Sequence, residues 1–319
     1  MVFRAFIIKA VEFSTVLLFG STGETLIEKS GHLNLGIPGI MCAGALGGCF
    51  GVSFYVGLAG VKAMSGVLVI LFGMLFAMLF AGALGAVYSF MTVSLRCNQN
   101  VTGLTITTLG VGLTNFFINR IPTKGFSQAA NYYVKLFTFY PQLGGFGQVV
   151  LSYGFLTYFA IIVSLVCALV LKKTKIGLYL RAVGENPATA DAAGISVTKY
   201  RYSATIIGSG IAGLGGLFYV FNYLLGMWEY TIDGLGWLSI ALVIFTVWKP
   251  DFGILGAFVF GCLYCCKDYI SGLSLAQKEL LQMTPYVVTI IVLIITSVLD
   301  SKNAQPPASL GLNYFREDR

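Results

Sequence analysis

The chain has 319 residues, 57% of them apolar and only 10% charged, with a mean hydropathy of +0.83. Soluble domains carry about 25% charged residues, and a water-soluble fold of this composition could not hide so much apolar surface in one core. That excludes a soluble globular protein and with it a nucleic-acid partner, so the net charge of +7 has to be read by its position beside membrane spans.

A spanning helix needs about 20 mostly apolar residues. The first apolar stretch is interrupted by Glu12, and no small-residue cleavage site follows before Glu24, so the N-terminus reads as a retained first helix rather than a cleaved leader. Uncharged runs then follow at 30–61 (interrupted only by His32), 63–95, 97–119, 136–171, 202–228 and 280–299. Shorter runs at 13–23, 234–248 and 252–266 fall below a full span, as expected of short, broken or tilted helices that line a cavity inside the protein. The pattern predicts an all-α polytopic membrane protein of about 8 to 10 transmembrane helices. It forms one membrane domain over 1–319, with a polar loop at 172–201 and a polar tail at 300–319.

Orientation rests on that loop. It holds Lys172, Lys173, Lys175, Arg181, Lys199 and Arg201 against only Glu185 and Asp191, which makes it cytoplasmic by the positive-inside rule. Alternation then places 120–150 and the 227–234 turn outside, and 249–251 and the tail inside. For Met1 two readings stand: an odd number of spans before the loop places it outside, whereas Arg4 and Lys9 favour inside.

Several chemistries have no support. Neither polar stretch is large enough for a soluble domain and no G-x-x-x-x-G-K-[ST] loop occurs, so the chain is not expected to hydrolyse ATP or to hold a cofactor. With one histidine in the chain, no Ser/His/Asp set or zinc site is supported. The seven cysteines lie in or beside apolar runs and read as small helix residues. Cys262, Cys265 and Cys266 lack a second ligand pair for a metal.

Within the basic loop, residues 177–195 read GLYLRAVGENPATADAAGI. The core is a complete short helix: Asn186 as N-cap, Pro187 at the first helical position, an alanine-rich body and Gly194 just past the end. Two helical turns are marginal in water. The helix therefore either docks on a partner or packs under its own membrane domain.

This segment resembles the loop that carries the coupling helix in permeases of bacterial ABC importers for ribose, branched-chain amino acids and nucleosides. Residues 23–41, which contain Leu33-Asn34-Leu35-Gly36, are similar to that family's N-terminal segment, with Pro38 where the family often has Glu. Residues 98–105, 234–243 and 248–250 look most like the nucleoside branch. The resemblance implies two halves of opposite topology, a bacterial cytoplasmic (inner) membrane location, and ATP bound by partner subunits. It implies ATP-binding cassette subunits, a second and longer permease, and a substrate-binding lipoprotein as partners. On the coupling loop it assigns Arg181, Gly184, Glu185, Asn186, Pro187, Ala190, Asp191 and Gly194 to the ATPase contact.

A substrate pathway is the second expectation. Asn34, between Gly31 and Gly36, puts a polar side chain where helix propensity is poor, so it either lines a water-filled path or is satisfied by a neighbouring helix. Thr105, Thr108 and Asn115 bring hydroxyls and an amide into 97–119, suited to a neutral nucleoside or equally to bonds between helices. Trp237 opens the short run after Gly234 and Gly236. A ribose, other sugar or branched-chain amino acid remains the alternative cargo. A stand-alone channel or secondary carrier remains a different class, although the runs between Lys62 and Lys172 lack the ionisable residues that ion-coupled carriers place deep in a span.

Overall fold

The computed structural model describes residues 2–135, 147, 149–298 and 305–315. The described residues are helical wherever they are regular. In chain order the helices are α1 (Val2–Glu28), α2 (Ile37–Ala59), α3 (Gly66–Ser89), α4 (Gln99–Ile118), α5 (Phe126–Tyr133), α6 (Phe155–Lys173), α7 (Lys175–Glu185), α8 (Pro187–Ala192), α9 (Val197–Phe218), α10 (Ile232–Phe245), α11 (Pro250–Tyr269), α12 (Leu275–Gln282) and α13 (Thr284–Val298). Among the described residues eight segments are long and apolar enough to cross a membrane, and the protein is a polytopic membrane protein.

Two runs that looked short are parts of full-length helices. The run 13–23 lies inside α1, which carries Glu12, Glu24 and Glu28 within its length, and 252–266 lies inside α11. Charged residues ended those runs in the sequence but do not end the helices, because tertiary burial and not solvent surrounds most of these side chains. Only α10, at 14 residues, stays short. The run 63–95 is crossed once, and of 136–171 the residues 136–146 lie outside the described residues.

Among the described residues five spans precede the basic loop, which puts the start of α1 on the face opposite to it. Lys9 accordingly lies 3.6 Å from the ring centroid of Tyr223, at the far end of α9. Arg4 and Lys9 do not override the loop.

Capping chemistry sets the boundaries. Gly36 and Pro38 start α2, the Asn98 side chain accepts from Val101 N at the start of α4, and Ser196 accepts from Lys199 N at the start of α9. Helices α2 and α9 are the most buried spans. They cross where a Cβ on Gly44 would lie 2.2 Å from Gly213 Cα, a close approach that only small residues allow, and packing of this kind holds helices together where lipid supplies no hydrophobic drive. Gly208 and Gly216 likewise face backbone of α1 and α2.

Antiparallel α3 and α9 end alike on opposite faces. Each continues as a π-helical turn, Phe90–Ser94 and Tyr219–Tyr223, closed by Cys97 N donating to Met91 O and Gly226 N to Val220 O. Each then turns through a left-handed residue, Arg96 or Leu225.

Candidate functional site

The basic face is built around α7 and α8. Thr174 caps α7 by accepting from Gly177 N, and the Asn186 side chain caps α8 by accepting from Thr189 N at 3.0 Å. Gly194 closes α8 at φ +83, a conformation that disfavours residues with a Cβ. Of the eight loop residues singled out, Arg181, Glu185, Asn186 and Gly194 are exposed, and Pro187 and Asp191 are half-buried. Ala190 is buried against Val183 and Val197. Gly184 is also buried, and a Cβ there would sit 2.3 Å from Lys29 O. These two seat the hairpin on the membrane domain, whereas the exposed four face outward.

Under the hairpin lies a buried polar cluster of which the sequence reading singled out only Asn34 as a site residue. Glu24, Glu28, His32, Asn34 and Arg201 are each no more than 2% exposed. Glu28 Oε2 accepts from the indole N–H of Trp248. To make that bond the chain holds Val247 and Trp248 both at positive φ, a conformation that costs about 1 to 2 kcal/mol for each such residue. Glu24 lies beside Glu28 and Asn34, yet neither of its oxygens has a partner of hydrogen-bond geometry among the described residues. Thr205 donates to Arg201 O, so its hydroxyl accepts from His32 Nδ1 at 2.9 Å, which fixes the Nδ1–H tautomer. Burial, reinforced by Arg201, holds the His32 imidazole well below its ordinary pKa. Burial also lowers the Lys29 ammonium, with Glu185 opposing the shift.

One signal could have found this cluster. Residues 24 and 28 are one helical turn apart, so both carboxyls project from the same face of α1, and such a pair beside a span is a functional candidate. Its assembly with Arg201 and Trp248 joins residues far apart in the chain.

The tail fastens the pieces together. Ser309 N donates to Gly184 O at 3.0 Å, Ala308 N to Glu185 Oε2 at 3.2 Å and Gly311 N to Gly31 O at 3.2 Å. Leu312 O accepts from Gln99 Nε2 and from Arg201 Nη1, and Tyr314 OH donates to Asp191 Oδ2 at 2.9 Å. Residues 308–314 therefore touch the loop hairpin, the 29–33 segment and the starts of α4 and α9. Glu185 and Asp191, expected at a partner, are here engaged by the tail.

The expected pathway residues divide into two groups. Asn34 is buried outside any helix, in the 29–36 connection, with its Oδ1 accepting from Gly36 N at 2.9 Å. Its Nδ2 has no partner among the described residues, although the adjacent Leu33 N donates to Gln99 Oε1 and Leu33 O accepts from Tyr88. Gly36 packs on Ile106. By contrast, Thr105, Thr108 and Asn115 are exposed, and together with Gly112 their spacing forms one stripe along α4. The opposite face of α4 packs on α2. Thr105 and Thr108 donate to carbonyls one turn back. Trp237, half-buried on α10, lies beside Gly236, which packs against Pro38.

Opposite the basic loop, a cavity of ≈ 520 Å³ opens at the start of α10. Tyr219, Tyr264 and Tyr286 line it together with Glu229, Asp233 and Glu279. Rings that can stack and carboxylates that can accept hydroxyl protons suit a polyhydroxylated, ring-containing molecule.

A bilayer-spanning helical protein with a capped hairpin on its basic face has the build of a transport subunit. Residues 6–296 match the family described as branched-chain amino acid transport system / permease component, and the chain belongs to that family. It is 35% identical to a nucleoside ABC transporter permease protein of Lactococcus lactis, over 95% of this chain and 94% of the relative. It is 34% identical to a putative glucose ABC transporter permease protein of Haloferax volcanii, over 99% of both chains. A guanosine ABC transporter permease protein of Bacillus subtilis is 30% identical, over 96% of this chain and 95% of the relative. No solved structure matches the chain.

Proposed function

We propose that this chain is the permease subunit of an ABC importer that moves nucleosides across a bacterial cytoplasmic membrane. What carries the reading is the full-length likeness to both a nucleoside and a guanosine permease. The tyrosine-lined outer cavity supports it, since a base can stack where a ribose finds carboxylate acceptors. In this reading ATP-binding subunits, which hold the ATP that this chain does not, grip the exposed residues of α7 and α8. A binding lipoprotein delivers substrate at the outer face. A second, longer permease covers the α4 stripe, so that Thr105, Thr108 and Asn115 meet the pathway between the two subunits. Transport then requires ATP-driven movement of the hairpin to change the balance between inward- and outward-facing states.

The likeness to a glucose permease favours a second reading, in which a hexose is the cargo. Uptake of labelled guanosine into proteoliposomes of the complete complex, challenged with unlabelled nucleosides or glucose, separates the two. Nucleosides should compete and glucose should not. Absence of guanosine uptake together with ATP-driven uptake of labelled glucose gives the hexose reading, and ATP-independent uptake by the purified chain refutes the importer altogether.

A further inference from the structure

Arg201 is a large charged side chain, 2% exposed, that makes no ion pair among the described residues. Its Nη1 donates to Leu312 O at 3.3 Å, and Nε and Nη2 have no partner among the described residues. A buried guanidinium left this way is costly unless something negatively charged joins it. Arg201 lines a cavity of ≈ 210 Å³, walled also by Thr92, Arg96, Ser196, Thr198 and Tyr314.

Three features give that cavity the character of an anion site. Two arginines meet at it, one from the end of α3 and one from α9. The N-terminus of the 22-residue α9 opens on it: Ser196 Oγ takes the N–H of Lys199, while those of Val197 and Thr198 have no intrahelical acceptor. The hydroxyls of Ser196 and Thr198 add neutral donors on the walls, whereas those of Thr92 and Tyr314 already donate to Tyr88 O and Asp191 Oδ2. The carboxylate at the rim, Asp191, accepts from Tyr314 OH. Arg96 is held at the mouth by its own left-handed turn and by the Phe315 ring, 4.9 Å away.

We propose that this cavity binds a phosphate-bearing anion, which joins the tail and the loop hairpin to the membrane domain. The phosphate is either free in solution or a lipid headgroup, and the chemistry of recognition is the same: paired guanidinium forks and backbone N–H groups around tetrahedral oxygens. None of the cavity's lining residues is among those expected along the substrate pathway, and the inference does not depend on which substrate the protein carries.

The test uses the full-length chain in phosphatidylcholine nanodiscs, titrated with sodium phosphate against sodium chloride at matched ionic strength. The unfolding midpoint should rise saturably with phosphate, and Arg96→Gln, a change at an exposed side chain, should weaken half-saturation by at least ~10-fold. In a second arm, nanodiscs containing phosphatidic acid replace added phosphate. Stabilisation there that Arg96→Gln removes assigns the site to a headgroup, and stabilisation only by free phosphate assigns it to a soluble anion. Arg201→Lys, which keeps the charge without the fork, should also weaken binding if it folds. No saturable rise in either arm, or an equal response from wild type and Arg96→Gln, overturns the proposal.

Discussion

Gly184 is the point where the loop hairpin rests on the membrane domain, and Gly184→Ala tests whether that seat transmits movement. The added methyl would lie 2.3 Å from Lys29 O, 3.1 Å from Lys29 C and 3.2 Å from Gly31 N. All three are backbone atoms, so no side chain can swing aside, and α7 must back away from the 29–31 segment by about 1 Å to restore ordinary contact. Overpacking of this kind costs about 1 to 3 kcal/mol. Carried by only one of two transport states, that energy shifts their balance about 5- to 150-fold. The assay is substrate delivered per ATP hydrolysed by the reconstituted complex. The ratio should fall at least ~5-fold while the ATPase subunits stay bound, because the exposed face of the hairpin is unchanged. Gly57→Ala in α2 is the control, since a Cβ there meets nothing within 4 Å. If Gly184→Ala transports with wild-type coupling and the same unfolding midpoint, the seat carries no force and the reasoning fails.

Two further outcomes are expected. Burial holds the folded-state pKa of His32 below its unfolded value of about 6.5. The stability it contributes is therefore complete above that value and lost as pH falls through it, with a limiting slope of about 1.4 kcal/mol per pH unit. The difference in unfolding free energy between wild type and His32→Gln should shrink on acidification below about pH 6.5, and a pH-independent difference would contradict the assignment. On α4, Asn115→Leu combined with Thr105→Val should leave the unfolding midpoint of the isolated chain unchanged, because both positions are exposed there. Pair formation with the second permease or substrate uptake should drop at least ~10-fold, as expected for central interface positions. Wild-type uptake by the double variant would return the α4 face to lipid.

The cap of α8 was legible because capping is local. Asn186, Pro187 and Gly194 lie within a few residues of the backbone groups or turn they serve, so their types and spacing define the helix without reference to anything distant. The capped hairpin thus stands where the sequence places it. The buried cluster was less legible. Glu24 and Glu28 read as the polar boundary of a short run, and nothing near them in sequence announces that Trp248 will donate to one of them from 220 residues away. Nor does the tail's sequence indicate that Ser309 binds Gly184 or that Tyr314 binds Asp191.

By itself the sequence determined that this is a polytopic helical membrane protein and where the capped helix stands in its basic loop. Those properties depend on apolar run length, charge count and capping, each set over short stretches of chain. Only the tertiary structure decided that α1 extends through three glutamates, that Gly184 is buried against the 29–31 backbone, and that Arg201 is enclosed without a counterion among the described residues. In a membrane interior a polar residue's meaning depends on what packs against it, because neither water nor lipid will satisfy it there. The charges counted first as an orientation signal therefore include one, Arg201, that the fold has taken inside and set beside a cavity suited to an anion.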